Sequence, residues 1–184
     1  MCAPPTRIIG RGSQLDLLTG AFKGDRRLVT IVGHAGMGKT TVSRAFGRMW
    51  SERAEVWFFD LTEARTQEDI CSTIIHTMGL TVDAGDRART VTQVASVFNR
   101  RAPILLIFDN CEQIIASASG LIDQWLAATS KSVRFLATSR ERLHLACELV
   151  LPLGPLGLPE DAACVHHAEA VQLFVERATA ARPA

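Results

Sequence analysis

The chain has almost no excess charge: 20 Lys and Arg against 19 Asp and Glu leave +1. That is too little for a dedicated nucleic-acid-binding surface, and no segment reads as a DNA-contacting helix-turn-helix. Paired-cysteine spacing is also missing. The five cysteines (Cys2, Cys71, Cys111, Cys147, Cys164) are odd in number and scattered, with no CxxC pattern and a single CxH, Cys164-Val165-His166. A disulfide scaffold and a zinc site are therefore not expected, and a reducing cytoplasm is the expected location. No apolar run approaches the ~20 residues of a membrane span. The first seven residues, MCAPPTR, lack the apolar core of a signal peptide. Internal repeats and low-complexity tracts are absent too. What is present is ordinary: 184 residues, 47% hydrophobic and 21% charged. Such a chain suits one globular domain, burying about 70% of its unfolded surface.

Short apolar runs alternate with longer amphipathic stretches. Strands are predicted at 28–32, 56–59, 104–108, 133–137 and 149–151. Helices are predicted at 40–49, 67–78, 90–100, 118–128 and 168–180, with Gly79 as a C-cap and 81–89 as a surface loop. The run Ile104-Leu105-Leu106-Ile107-Phe108 has the unbroken hydrophobicity of a strand buried on both faces. Pro152, Pro155 and Pro159 mark an extended linker. Strand–helix alternation predicts an α/β fold, a parallel sheet of roughly five strands covered by helices on both faces. The expected division is 1–160 for the main domain and 161–184 for a C-terminal helical extension.

Gly33-His34-Ala35-Gly36-Met37-Gly38-Lys39-Thr40 matches G-x-x-x-x-G-K-[ST], the P-loop or Walker A pattern, between a predicted strand and a predicted helix. Gly33, Gly36 and Gly38 let backbone N–H groups close on phosphate oxygens, and the helix N-terminus adds positive potential. Met37 and Thr41 belong to the same cradle. Lys39 is expected at the β- and γ-phosphates, and the Thr40 hydroxyl on Mg²⁺.

Asp109 ends the apolar strand and is expected to serve Mg²⁺, directly or through water, at the sheet edge where such folds bind ligands; otherwise it is an ordinary strand-ending Asp that starts a turn. Many P-loop ATPases carry an acid next; here it is Asn110, and an amide is no general base at neutral pH. Glu112 is then the candidate base, or else a helix-start residue favoured by the dipole. Arg140, beyond the strand 133–137, is the candidate γ-phosphate sensor. The pairs Arg26-Arg27 and Arg100-Arg101 are expected to be solvated. Cys111, His34 and His166-His167 are expected to be structural or exposed.

Several segments together resemble one family: Ile8-Ile9-Gly10-Arg11, the 33–40 loop, Asp109-Asn110-Cys111-Glu112, Thr138-Ser139-Arg140-Glu141, and Leu149-Val150-Leu151-Pro152-Leu153 followed by Ala170-Val171-Gln172-Leu173-Phe174. Over about residues 7–177 they look like the nucleotide-binding domain of STAND-type, NB-ARC-like signal-transduction ATPases. The branch they resemble is that of bacterial LuxR-type and SARP-type transcriptional regulators. The resemblance implies ATP or ADP as ligand with Mg²⁺, Ile9 against the adenine and Arg11 positioning it. It further implies Asp109 as the Walker B aspartate, Arg140 as the sensor arginine, and slow hydrolysis resetting an ADP-closed, ATP-open switch. His34 departs from the small residue or proline usual in the loop. The family's Gly-Leu-Pro-Leu and winged-helix regions have no counterpart before Ala184, and Leu156-Gly157-Leu158-Pro159 lies too early. The expectation is a module of a longer regulator. Its implied partners are a helical lid, winged-helix and sensor domains, with an oligomer in the full-length ATP state and no direct nucleic-acid or membrane contact. The rival readings are a P-loop small-molecule kinase, against which the apolar 151–159 segment argues, and a nucleotide-binding scaffold without hydrolysis. A GTPase is the weaker rival still, because no [NT]-K-x-D guanine-reading segment appears.

Overall fold

A computed structural model describes residues 8–81, 87–159 and 165–181. Five strands form one all-parallel sheet: β1 (Leu28–Val32), β2 (Glu55–Asp60), β3 (Ile104–Asp109), β4 (Val133–Ser139) and β5 (Glu148–Pro152). Their order is β2-β3-β4-β1-β5. The register pairs Asp60 with Asp109 and Ile31 with Thr138, so these residues come to the C-terminal edge together.

β3 is buried along its whole length, and its alternation feeds two cores. Ile104, Leu106 and Phe108 face one side, and Leu105 and Ile107 the other. The first core is closed by α3 (Gln67–Met78), α4 (Arg87–Arg100) and α5 (Ile115–Ala128). The second is closed by α1 (Gly12–Lys23) and α2 (Lys39–Trp50), where Phe22, Phe46 and Trp50 cluster with ring centroids 5.3–5.9 Å apart, Phe46 stacked on each of the other two. A final helix, α6 (Glu169–Ala180), follows the proline-bearing segment.

The α/β parallel architecture is as the alternation predicts. One helix, α1, has no counterpart among the predicted elements. Leu18 and Phe22 are fully buried and Leu15 packs beside them, a helical stripe. Gly12 and Gly20 lower the helix propensity and Leu17, 60% exposed, blurs the stripe, so tertiary burial decides the helix. α4 starts at Arg87, within the predicted loop, while 82–86 lie outside the described residues. So do Cys2, Cys164 and the expected domain boundary at 160/161.

Two arginines overturn the solvated expectation. Arg27 donates to the Leu126 carbonyl at 2.7 Å, to the Val133 carbonyl at 3.3 Å and to Thr129 Oγ1 at 2.7 Å, and burial lowers its guanidinium pKa. Arg101 lies over the Trp57 ring and donates to Glu55 Oε1 at 2.8 Å. Arg26 and Arg100 are exposed, as expected.

α3 is bounded by local chemistry. Thr66 accepts from the Asp69 N–H while Asp69 accepts from the Thr66 N–H, a capping box, and Gly79 at φ +62 closes the other end. Thr66→Ala is expected to cost about 0.5–2 kcal/mol, measured by denaturant unfolding.

Candidate functional site

β1 ends at Val32, and the glycine loop turns over the C-terminal edge into α2. Each glycine has its own reason. A Cβ on Gly33 would stand 2.6 Å from the Leu153 carbonyl oxygen, because the chain leaving β5 crosses directly beside it. Gly36 and Gly38 instead face open space and adopt φ of +79 and +86, where a side chain is strained. So Gly33 is fixed by close packing against the protein itself. Gly33→Ala is expected to lower Tm by about 2–12 °C, from roughly 1–3 kcal/mol of overpacking, in a thermal melt.

Lys39 opens α2 and is only 7% exposed. Its ammonium folds across the loop, donating to the carbonyls of Gly33 at 2.8 Å and His34 at 3.2 Å. The cation is thus stored within the loop expected to hold an anion. Thr40 is half-buried and Thr41 exposed beside it; His34 is exposed, as expected.

Arg11 and Ile9 meet this loop from the N-terminal segment. Both line a cleft of about 390 Å³ together with Gly36, Met37, Gly38 and Thr41. Pro155, Leu156 and, from α6, Leu173 and Arg177 form the opposite wall. Its walls are mainly aliphatic, suited to a flat apolar ring. Arg11 is 7% exposed and donates to the Met37 carbonyl at 3.0 Å and the Gly154 carbonyl at 2.9 Å. It therefore straps the loop to the exit of β5.

At the end of β3, Asp109 is 1% exposed, and its Oδ1 accepts from Thr138 Oγ1 at 2.5 Å. The same hydroxyl accepts from the Asn110 N–H at 3.1 Å. Asn110 has φ +64, a conformation asparagine tolerates better than most residues. Its Nδ2 reaches Asp60 Oδ1 at 3.2 Å and Thr62 Oγ1 at 2.9 Å. The Thr62 hydroxyl and backbone N–H hold the Asp60 carboxyl below the usual carboxylate range. Thr138 lies in the Thr138–Glu141 segment but is given no role of its own by the sequence, whereas Asp60 and Thr62 escape sequence reasoning as site residues. The only signal for Asp60 and Thr62 is position at or just past a strand end, which many surface turns share.

Glu112 sits in a 3₁₀ turn (Cys111–Gln113) and Arg140 just beyond β4. These candidate base and sensor residues are paired: Arg140 Nε donates to Glu112 Oε1 at 3.3 Å. Glu112 Oε2 is buried without a hydrogen-bond partner, whereas the Arg140 side chain is 61% exposed. With one partner so exposed, the pair contributes little stability. Cys111 is structural: it is fully buried, and burial, reinforced by Asp109 and Glu112, pushes its thiol pKa up.

Lys39, Thr40, Asp109, Glu112 and Arg140 thus follow the ends of β1, β3 and β4 along one edge, with the Ile9–Arg11 cleft beside the loop. Among the described residues no group of three or more His, Cys, Asp or Glu could hold a metal. Thr40 and Asp109 are a donor set that suits Mg²⁺ completed by phosphates and water rather than a closed protein cage. No helix among the described residues is long and apolar enough to cross a membrane.

A family model described as an AAA domain matches residues 23–145. An uncharacterized protein of Mycobacterium tuberculosis is 30% identical over 179 residues, which are 96% of this chain and 42% of that protein. A second protein of that organism, provisionally named an HTH-type transcriptional regulator, is 28% identical over 163 residues, 89% of this chain and 17% of its own length. This chain therefore spans less than half of either relative. Among solved structures, the STAND protein with a tetratricopeptide repeat sensor from Pyrococcus horikoshii matches with a TM-score of 0.59 at 15% identity, covering 98% of this chain and 27% of that one. The ORC2 protein of Aeropyrum pernix, solved as ADPNP-ADP complexes, gives 0.57 at 16% identity over 80% of this chain and 49% of that one. At these identities the structural matches speak for the P-loop NTPase fold alone.

Proposed function

The chain belongs to the AAA domain family, and on that footing we propose that it is the ATP- and ADP-binding switch module, with slow hydrolysis, of a larger signalling or transcriptional regulator. One observation carries the reading: the glycine loop, with its buried Lys39, adjoins an apolar cleft lined by Ile9, Met37 and Leu173. The adenine enters this cleft, and Arg11 supports it indirectly by fixing the loop and the 154–156 segment. The phosphates lie over Gly36 and Gly38 at the N-terminus of α2, whose free N–H groups and dipole favour anions. Lys39 exchanges its two loop carbonyls for β- and γ-phosphate oxygens. Thr40 and Asp109 hold Mg²⁺, which when bound neutralises charge on the phosphates. The Arg140 guanidinium leaves Glu112 for the γ-phosphate, so the broken pair reports which nucleotide is present.

The STAND-type, NB-ARC-like assignment, and the LuxR/SARP branch within it, belong to this proposal. So do the division into a nucleotide domain over 1–160 and an extension over 161–184, and the cytoplasmic setting. Lid, winged-helix and sensor domains of the parent regulator are the proposed partners, with oligomers in the ATP state. The name of one relative supports the regulatory setting. So does α6, which lines the cleft yet leaves Phe174 and Val175 exposed at 73% and 54%, apolar surface of the kind a neighbouring domain covers.

The switch reading is tested by phosphate release from Mg²⁺·ATP, with and without small-molecule acceptors. Turnover far below the roughly 10 s⁻¹ typical of enzymes is expected, unaffected by acceptors. Acceptor-dependent phosphoryl transfer at an ordinary enzymatic rate would replace this reading with the kinase one.

A further inference from the structure

Beside the glycine loop, three walls of the cleft come from segments far apart in the chain, and one carboxylate touches all three. Glu169 opens α6, directly before Ala170, which lines the cleft. Its Oε2 accepts from the Gly157 N–H at 3.2 Å, and Gly157 lies between the lining residues Leu156 and Leu158. The Gly157 carbonyl in turn accepts from the Ala170 N–H at 3.2 Å, so α6 and the segment after β5 are joined by two hydrogen bonds. The same carboxylate packs against Gly10, between Ile9 and Arg11. A Cβ there would stand 2.5 Å from Glu169 Oε2 and 2.8 Å from Oε1. Alanine at position 10 would therefore have to expel the Glu169 head, the free end of a flexible side chain. Glu169 is not itself a wall of the cleft, so it acts on a bound molecule only through the walls it joins.

We propose that Glu169 is a positioning residue that sets how long the nucleotide stays bound, by holding α6 and the 155–158 segment against the Ile9–Arg11 segment. This rests on the reading of the cleft as the adenine site. A bound nucleotide leaves when one of the walls around it moves away. The glycine loop and α2 are anchored in the second core, whereas α6 has no fully buried residue. An element with so little buried surface opens before the rest of the fold. Few contacts hold α6 in place, and those of Glu169 are the ones that tie its first turn to both neighbouring walls. Without them the N-terminal end of α6 separates from Gly10 and Gly157, and the base loses its enclosure on that side.

The test follows the release of ADP carrying a fluorescent group on its ribose, chased with excess ADP in stopped flow, beside melts of the unliganded variants. Glu169→Ala is expected to release ADP on the order of 10-fold faster, as for the loss of one charge-assisted hydrogen bond. Association should not slow, and the unliganded Tm should stay close to that of the parent. Glu169→Gln, whose amide oxygen still accepts from Gly157, is expected to recover most of the slow release. If Glu169 served only the helix dipole, Gln would behave as Ala does. Gly10→Ala should also speed release, but by a smaller factor in the Glu169→Ala background, where no carboxylate remains to be expelled. The backbone strain at φ +69 is common to both backgrounds. Parental release in Glu169→Ala, equally fast release in Glu169→Gln and Glu169→Ala, or factors that multiply in the double variant overturn the inference and leave the adenine site standing. A parent chain that binds no ADP removes the site reading first and this inference with it.

Discussion

Trp125→Ala is expected to lower Tm by about 6–20 °C, the equivalent of roughly 3–5 kcal/mol for a chain of this length. Trp125 is fully buried at the centre of the core beneath β3. It stacks on Phe108 at 6.0 Å and meets Phe98 edge-on at 5.4 Å. Its indole N–H donates to the Val91 carbonyl at 3.2 Å, tying α5 to α4. Truncation removes the ring and leaves a cavity that three packed elements can only partly fill. Trp125→Phe separates the two contributions, since it keeps most of the packing and removes only the indole hydrogen bond to the Val91 carbonyl. That variant should lie between the parent and Trp125→Ala. The site depends on the same packing, because Phe108 precedes Asp109. If Trp125→Ala melted within a degree or two of the parent, the core described here would be wrong.

Lys39→Ala is expected to weaken ADP and ATP binding by about 1.5–3 kcal/mol, or roughly 10- to 150-fold in Kd. The ammonium is already desolvated in the loop, so it is transferred from carbonyls to phosphates rather than from bulk water. The unliganded fold should change far less than in Trp125→Ala. The carbonyl left behind at His34 belongs to an exposed residue and is readily hydrated. Isothermal titration of the variant beside its unliganded melt checks both halves. Equal affinities for parent and variant would place the phosphates away from this loop.

The central architecture was legible because its signals are dense. Five consecutive apolar residues in β3, two faces buried, and a glycine loop between strand and helix leave few alternatives. The capping box of α3 and the left-handed Gly79 show local chemistry and tertiary structure agreeing. α1 was not legible, since its stripe is short, interrupted by glycine and held mainly by packing against α2. Within the site, motif residues could be found but their partners could not. Nothing in the sequence says that Arg140 meets Glu112, that Arg11 spends its guanidinium on two carbonyls, or that Asp60 and Asn110 join across adjacent strands. Those contacts follow from parallel register and from loops converging over one sheet edge, which spacing along the chain does not encode. Arg27 makes the same point: its neighbours in sequence suggest solvent, whereas its neighbours in space are the end of α5 and the start of β4.

The most direct measurement is the thermal unfolding of the chain in Mg²⁺ alone and then with ADP, ATP or GTP. At 100-fold over Kd a ligand stabilises by about 2.7 kcal/mol, or roughly 5–11 °C in Tm here. The account predicts a shift of that size with ADP and ATP at saturation and little with GTP. No shift with any nucleotide at millimolar concentration, or a larger one with GTP, would contradict it.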